Sequence, residues 1–402
     1  MQDSNKCSTG SKQRRPDKPD KPSRRLLVPL FLLGTMFVLM LAPAADQPAA
    51  EMPSAAADRP LFRVIQNDKL GFMDAAGNVV IAPAFSCDNA FVCAPFGRAP
   101  FSEGLEPVFS GEKDATTCGY IDRKGTYAVK PQFAICGSFH EGLALVWLAD
   151  SNAGQKGFID KAGELVGKAR FDDAYEFSEG LAAVQVGGQE TGKWGFVDRT
   201  SHFVIPAQYA AAFPFSEGLA AVQVGDIQTG KWGYTDKTGH LAIPATFNAA
   251  EPFLDGLAKV ITAGGWNYID TAGHSIAGAP LNIDSMISSR FSEGLAAVMT
   301  GDSQTGKWGF VDKTGHFVIP PHFDAADTFS EGLAAVLVGY SDTSQGEYGY
   351  IDKAGQWVIE AQFSLAMPFD HGIAFVLSGS GGKEMKSGYI DRTGKFIWGP
   401  YE

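Results

Sequence analysis

The eleven residues FSEGLAAVQVG at Phe177–Gly187 return letter for letter at Phe215–Gly225, 38 residues later. The glycine of that motif recurs at Gly104, Gly142, Gly180, Gly218, Gly256, Gly294, Gly332 and Gly372, in steps of 38 until a last step of 40. A period of this length means that each copy is one supersecondary unit. Such a unit cannot bury its own faces, so its neighbours must stack on it. A second motif keeps the same beat: GKWGFVD at Gly192 and Gly306, and GKWGYTD at Gly230. Its aspartate occurs nine times, at Asp74, Asp122, Asp160, Asp198, Asp236, Asp270, Asp312, Asp352 and Asp391, and these number the units one to nine.

Unit four shows the local chemistry. Leu181–Val186 reads as a short apolar strand and Trp194–Asp198 as a second, each favouring extended backbone through its β-branched and aromatic residues. An Asp-x-x-Gly turn follows, with aspartate capping backbone N–H groups and glycine (Ser201 here) tolerating positive φ. The third strand, Phe203–Ile205, is expected to stop at Pro206, which cannot donate to a sheet. Residues 207–214 then read as a linker to the next FSEGL. Each unit is thus a three-stranded antiparallel meander, and the chain is all-β. High glycine (47) and phenylalanine (29) contents agree with many turns and many aromatic strand positions.

The columns of the repeat carry more than one copy does. After the tryptophan comes glycine (Gly195, Gly233, Gly309) in every unit but six, where it is Asn267; this reads as a demand for left-handed backbone. The next position is always Phe or Tyr, which reads as a core knob between units. Taken whole, GKWGFVDKTGHFVIPPHFDAADTFSEGLAAV at Gly306–Val336 resembles the WG-repeat family, and the resemblance runs from Leu61 to Trp398. Leu70, Cys118, Lys156, Tyr348 and Ser387 depart from it by replacing the tryptophan. The resemblance implies a β-rich repeat array, mostly bacterial, with no common catalytic activity and no defined ligand.

Such units stack either as an open, curved solenoid-like array or as a closed, propeller-like ring. Leu61–Ile65 looks like a first strand and Phe396–Trp398 like a third, so the array begins and ends on whole units. Nine units also exceed the usual four to eight propeller blades. The expectation is therefore the open array, with units one and nine as caps.

The ends of the chain differ from its body. The first 25 residues hold eight basic side chains and three acids, leaving 25 basic and 42 acidic residues in the rest. So acidic a body is repelled by nucleic acid and by anionic headgroups, and nucleic acid is not an expected partner. Residues 26–41 carry no charge and precede Ala42-Pro43-Ala44, a small-x-small pattern. Residues 1–44 therefore read as a basic leader with an export signal, 45–60 as a flexible linker and 61–402 as the repeat domain. The alternative is an uncleaved anchor over 26–41, the one expected tie to a membrane. Beyond Cys7, four cysteines (Cys87, Cys93, Cys118, Cys136) suggest two disulfides in an exported chain. Three pairings are open; local staples, Cys87–Cys93 with Cys118–Cys136, are favoured.

No single constellation announces chemistry. The Ser-Glu-Gly of FSEGL recurs without a companion base, so it reads as a turn with local backbone bonds, its glycines (Gly180, Gly218, Gly294, Gly332) supplying positive φ. Four imidazoles (His202, His240, His274, His316) share one position and would form a metal-binding row only if they approached one another. Each turn holds one aspartate, too few oxygens for calcium. The tryptophans Trp194, Trp232, Trp266 and Trp308 read as core. No catalytic, cofactor or metal residue is expected. The reading is an exported, non-enzymatic scaffold for a protein or envelope polymer, with the irregular stretches 86–100 and 275–290 as partner sites. The alternative is a hydrolase of envelope polysaccharide or peptidoglycan built on Asp172, Asp173 and Glu176, acids that alternate faces along a strand.

Overall fold

In unit five the first two strands, Ala220–Val224 and Lys231–Thr235, pair antiparallel from Ala220↔Thr235 to Val224↔Lys231. The third, Leu241–Phe247, runs straight through Pro244. Its register explains how: Tyr234 faces Ile243 and Trp232 faces Phe247, so two residues on one strand span four on the other. The proline sits in this bulge, where no backbone donor is required. The expected stop at the proline is therefore corrected, as is the linker. After the bulge the chain enters Ala249–Ala250, which pairs with Val260 and Ile261 of unit six. The third strand thus leaves one sheet and starts the next. Tyr127–His140 does this in one unbroken element, paired to Thr117–Asp122 on one side and Leu143–Leu148 on the other.

This computed structural model describes residues 59–87, 100–111, 117–149, 154–167, 170–188, 191–275, 290–301, 305–341, 344–379 and 385–401. The leader, the 26–41 segment, most of the 45–60 linker, Cys93 and nearly all of the irregular stretches 86–100 and 275–290 lie outside them. Within them the chain is all-β, in several small antiparallel sheets.

The core lies between units. Eight apolar clusters each join one unit to its successor; Trp194, Phe196 and Ile205 of unit four, for example, pack on Phe215, Ala220 and Val222 of unit five. The invariant aromatic forms each junction's centre. Phe72, Tyr120, Phe158, Phe196, Tyr234, Tyr268, Phe310 and Tyr350 each meet the phenylalanine of the following FSEGL-type motif, with ring centroids 4.7–5.0 Å apart. Three of the tyrosines also donate onward: Tyr120 to Gly137 O, Tyr234 to Glu251 O and Tyr350 to Met367 O, at 2.7–2.8 Å. Paired alanines such as Ala182–Ala183 and Ala220–Ala221 are wholly buried, which lets successive sheets approach closely.

A ninth cluster joins unit nine to unit one: Ile373, Phe375, Tyr389 and Trp398 pack on Phe62, Val64 and Met73. The Phe62 and Tyr389 rings lie 5.9 Å apart, and the Tyr389 hydroxyl donates to Arg63 O at 3.0 Å. Nine units in an open array have eight junctions, and its end units do not touch. This contact is one that the expected open array, capped by units one and nine, does not make and that a ring requires.

The two glycine columns do different work. Glycines of the FSEGL motif, Gly180, Gly218, Gly294 and Gly332, have φ of 79–89°, and a Cβ there would meet nothing closer than the Arg392 guanidinium, 4.0 Å from its place at Gly332. Gly195, Gly233 and Gly309 are not left-handed; a Cβ there would stand 2.6 Å from the carbonyl oxygen of Ile205, Ile243 or Ile319. The bulged third strand presses its backbone onto them, so the left-handed reading of this column is corrected to a steric one. Asn267 fits in unit six, where only the bridge Ile269↔Ser275 stands in for the third strand among the described residues. Cys118 and Cys136 form a disulfide. Cys87 is disulfide-bonded as well.

Candidate functional site

The Ser-Glu-Gly motif closes on itself before it reaches its neighbour. Ser178 and Leu181 exchange backbone hydrogen bonds across a turn whose central residues, Glu179 and Gly180, have φ of 55° and 89°. Two positive φ values are the type I′ geometry, and a glutamate held there costs about 1–2 kcal/mol. Its carboxylate does not bond locally, as the sequence suggested. It accepts the N–H of Gly218 in the next unit and pairs with Lys237 of that unit at 3.1 Å. Such charge-assisted bonds are worth about 1.5–3 kcal/mol, enough to offset the strain. The same latch runs from Glu103 to Gly142, Glu141 to Gly180, Glu217 to Gly256, Asp255 to Gly294, Glu293 to Gly332 and Glu331 to Gly372. The serine adds a second tie: Ser102, Ser178, Ser216, Ser292 and Ser330 donate to the carbonyl of the next unit's phenylalanine at 2.5–2.7 Å. These residues hold units together, and their polar atoms are spoken for.

The turn aspartates follow the capping reading. Oδ1 of each accepts the N–H groups two and four residues on, as Asp312 does from Thr314 and His316. The Thr200, Thr238, Thr314 and Thr393 hydroxyls, seconded by those N–H groups, hold the carboxyls of Asp198, Asp236, Asp312 and Asp391 below the ordinary range. The four imidazoles are not brought together. His202 and His316 bond Thr200 and Thr314 at 2.7 Å, while His240 and His274 lie beside Asp236 and Asp270 of their own turns. Trp194 and Trp308 are buried; Trp232 and Trp266 are partly so.

The acids of the hydrolase alternative diverge. Asp172 accepts the Gly188 N–H, Asp173 pairs with Lys156, and Glu176 lies 3.2 Å from His140. Two substitutions show where ionic groups enter the junctions. Arg63 and Lys259 stand in a column that is alanine in units four, five, seven and eight. Arg63 pairs at 2.7 Å with the buried Glu106 of unit two. Lys259 is buried with its ammonium 4.0 Å from the Trp266 ring centre, and burial pushes it down from the usual lysine range. That break in the column is visible in the sequence.

One cleft of about 680 Å³ opens where unit four meets unit five. Its floor is a cross-strand row, Asp173↔Gln185↔Trp194, on three neighbouring strands of unit four. Lys193, and Asp226 with Ile227 from the following hairpin, form its rim. Lys193 donates to Gly225 O, and Asp226 caps Gln228 and Thr229. No sequence signal marks Gln185, because its repeat mate is the identical Gln223.

The WG containing repeat family matches the chain at residues 119–146, 157–189, 194–226, 232–266, 308–340 and 348–380. No curated protein matches it. Among solved structures it is similar to Porphyromonas gingivalis dipeptidyl peptidase 4, at 10% identity and TM-score 0.47, over 86% of this chain and 67% of that one. It is also similar to Kluyvelomyces marxianus Hsv2, at 12% identity and TM-score 0.36, over 59% and 86% of the two chains. The β-propeller domain of the Trilobed protease from Pyrococcus furiosus aligns at 9% identity and TM-score 0.36, over 74% and 95%. Six matches to this repeat, spread across residues 119–380, make this chain a member of the WG-repeat family.

Proposed function

We propose that the protein is an exported, non-enzymatic scaffold whose nine units form a closed ring and whose loops and clefts bind an envelope polymer or protein. The observation that carries this reading is the latch network. The Ser, Glu and Gly that looked most like chemistry are used up between units, which leaves recognition to the surfaces that vary. The ring rests on the apolar contact between units nine and one. Export rests on the basic leader, the apolar 26–41 segment and the Ala42-Pro43-Ala44 pattern. N-terminal sequencing of the protein recovered outside the cytoplasm should begin after Ala44; an intact leader would favour the anchor instead.

Co-sedimentation of the full chain with peptidoglycan sacculi, cellulose and chitin, with product release followed in the same tubes, tests the scaffold. Retention on at least one polymer without released sugar is expected. Released product would establish the hydrolase. Absence of retention on all three would leave the polymer-binding reading without its ligand and refute it in that form.

A further inference from the structure

Gln185 is 7% exposed and lines the cleft between units four and five, yet its carboxamide has no hydrogen-bond partner among the described residues. Its repeat mate shows what the same side chain does when the fold uses it. The Gln223 amide donates to Ile227 O at 3.3 Å and Gly230 O at 3.1 Å, tying down its own hairpin. In unit four the hairpin is held from outside, by the Asp172 carboxylate on the Gly188 N–H, where unit five has Asp226 capping from within. The stems agree: a Cβ on Gly192 or Gly230 would lie 3.1 or 3.2 Å from the Cγ of Gln185 or Gln223. Only the amide end differs. A buried, unpaired amide costs about 1–3 kcal/mol, which a ligand that satisfies it recovers on binding.

The neighbours narrow the ligand. Asp173 is neutralised by Lys156 and accepts the Ala174 N–H; Asp226 is bonded within its own turn; Lys193 is bonded to Gly225 O. An anion entering the cleft meets Asp173 and Asp226, and a cation finds both already engaged. What remains is a neutral group that offers donors to the amide's oxygen and acceptors to its two N–H groups, beside the Trp194 indole and the exposed side chain of Ile227. A pair of adjacent hydroxyls matches an amide's oxygen and nitrogen together, and the cleft's volume lies in the range of small-molecule sites. We infer that this cleft binds a neutral saccharide, with Gln185 as the residue that reads its hydroxyls. The inference rests on the scaffold reading and names a ligand class for one of its clefts.

Full-length protein titrated with cellobiose, maltose and N,N′-diacetylchitobiose, followed by calorimetry and tryptophan fluorescence, tests it. At least one sugar should bind and perturb the fluorescence. Gln185→Ala should weaken that binding by roughly tenfold or more, in keeping with the loss of a paired polar contact. Gln223→Ala should leave binding unchanged, and the melting temperature of Gln185→Ala should not fall, since the amide has no partner to lose. Binding by none of the three sugars overturns the inference, as does undiminished binding by Gln185→Ala. If that variant still sediments with a polymer that retains the wild type, the cleft is refuted while the scaffold stands.

Discussion

Gly195 and Gly180 are 15 positions apart and are glycine for opposite reasons. At Gly195 the obstacle is the Ile205 carbonyl, 2.6 Å from where a Cβ would lie, so any side chain moves backbone. Gly195→Ala should destabilise by about 2–3 kcal/mol, the usual cost of overpacking. At Gly180 there is space, but φ is +89°, so Gly180→Ala should cost about 1 kcal/mol and Gly180→Asn less. Asparagine should bring no such relief at 195. Urea titration of the four variants checks this, and equal costs at both sites would refute the steric account. The turn aspartates set a pH dependence at the same scale. Their carboxyls are held low by threonine hydroxyls, so they stabilise the fold above the unfolded carboxylate value of about 4 and lose that contribution as pH falls through the folded value. Melting temperature should drop between about pH 5 and pH 2. Replacing Thr200, Thr238, Thr314 and Thr393 by valine should make the drop shallower; an unchanged profile would remove the hydroxyls from the account.

At the scale of the element, the strand and the latch decide whether units hold. Glu179→Ala removes the bonds to Gly218 and Lys237 while leaving a left-handed non-glycine residue behind. A loss of about 1 kcal/mol is expected from this half-exposed site. Lys237→Ala in the Glu179→Ala background should add little, since the partner has gone; additive losses in thermal melts would show that the pair is not coupled. Opening Cys118–Cys136, which closes a separation of 18 residues, should cost about 3 kcal/mol by loop entropy and should loosen the bent strand 127–140. How much of this was legible follows from what repetition records. The period, the first two strands, the aspartate turns and the aromatic knobs were readable because each column repeats a local demand. The bulge was not, because Pro206 alone cannot say whether a strand stops or steps aside. Nor was the latch: its partners lie 39 positions apart, and nothing in Glu179 says whether it turns to its own N–H groups or to Gly218. Gln185 was invisible for the converse reason, since its departure from Gln223 lies in bonding and not in the letter.

For the repeat domain as a whole, we propose that nine units close on themselves. The closing junction is unlike the others in a way the sequence does show. His371 stands where the latch needs Glu, Pro60 where it needs a glycine N–H, and Ala75 where most units carry Lys or Arg. All three parts of the polar tie are therefore absent at one seam, and apolar packing of Phe62 against Tyr389 takes its place. A seam without its latch is the expected place for the ring to open first. The most direct test is the distance across it. Spin labels at the exposed Ala76 and Lys395, in protein with Cys7 replaced by serine and its disulfides intact, flank the contact of Gly77 with Ile397. Pulsed dipolar spectroscopy should give one narrow distribution near 20–30 Å, the reach of two labels a few residues from a contact at about 3.8 Å per residue. A population centred near 80 Å, as expected for nine sheets stacked openly at about 10 Å each, would contradict closure.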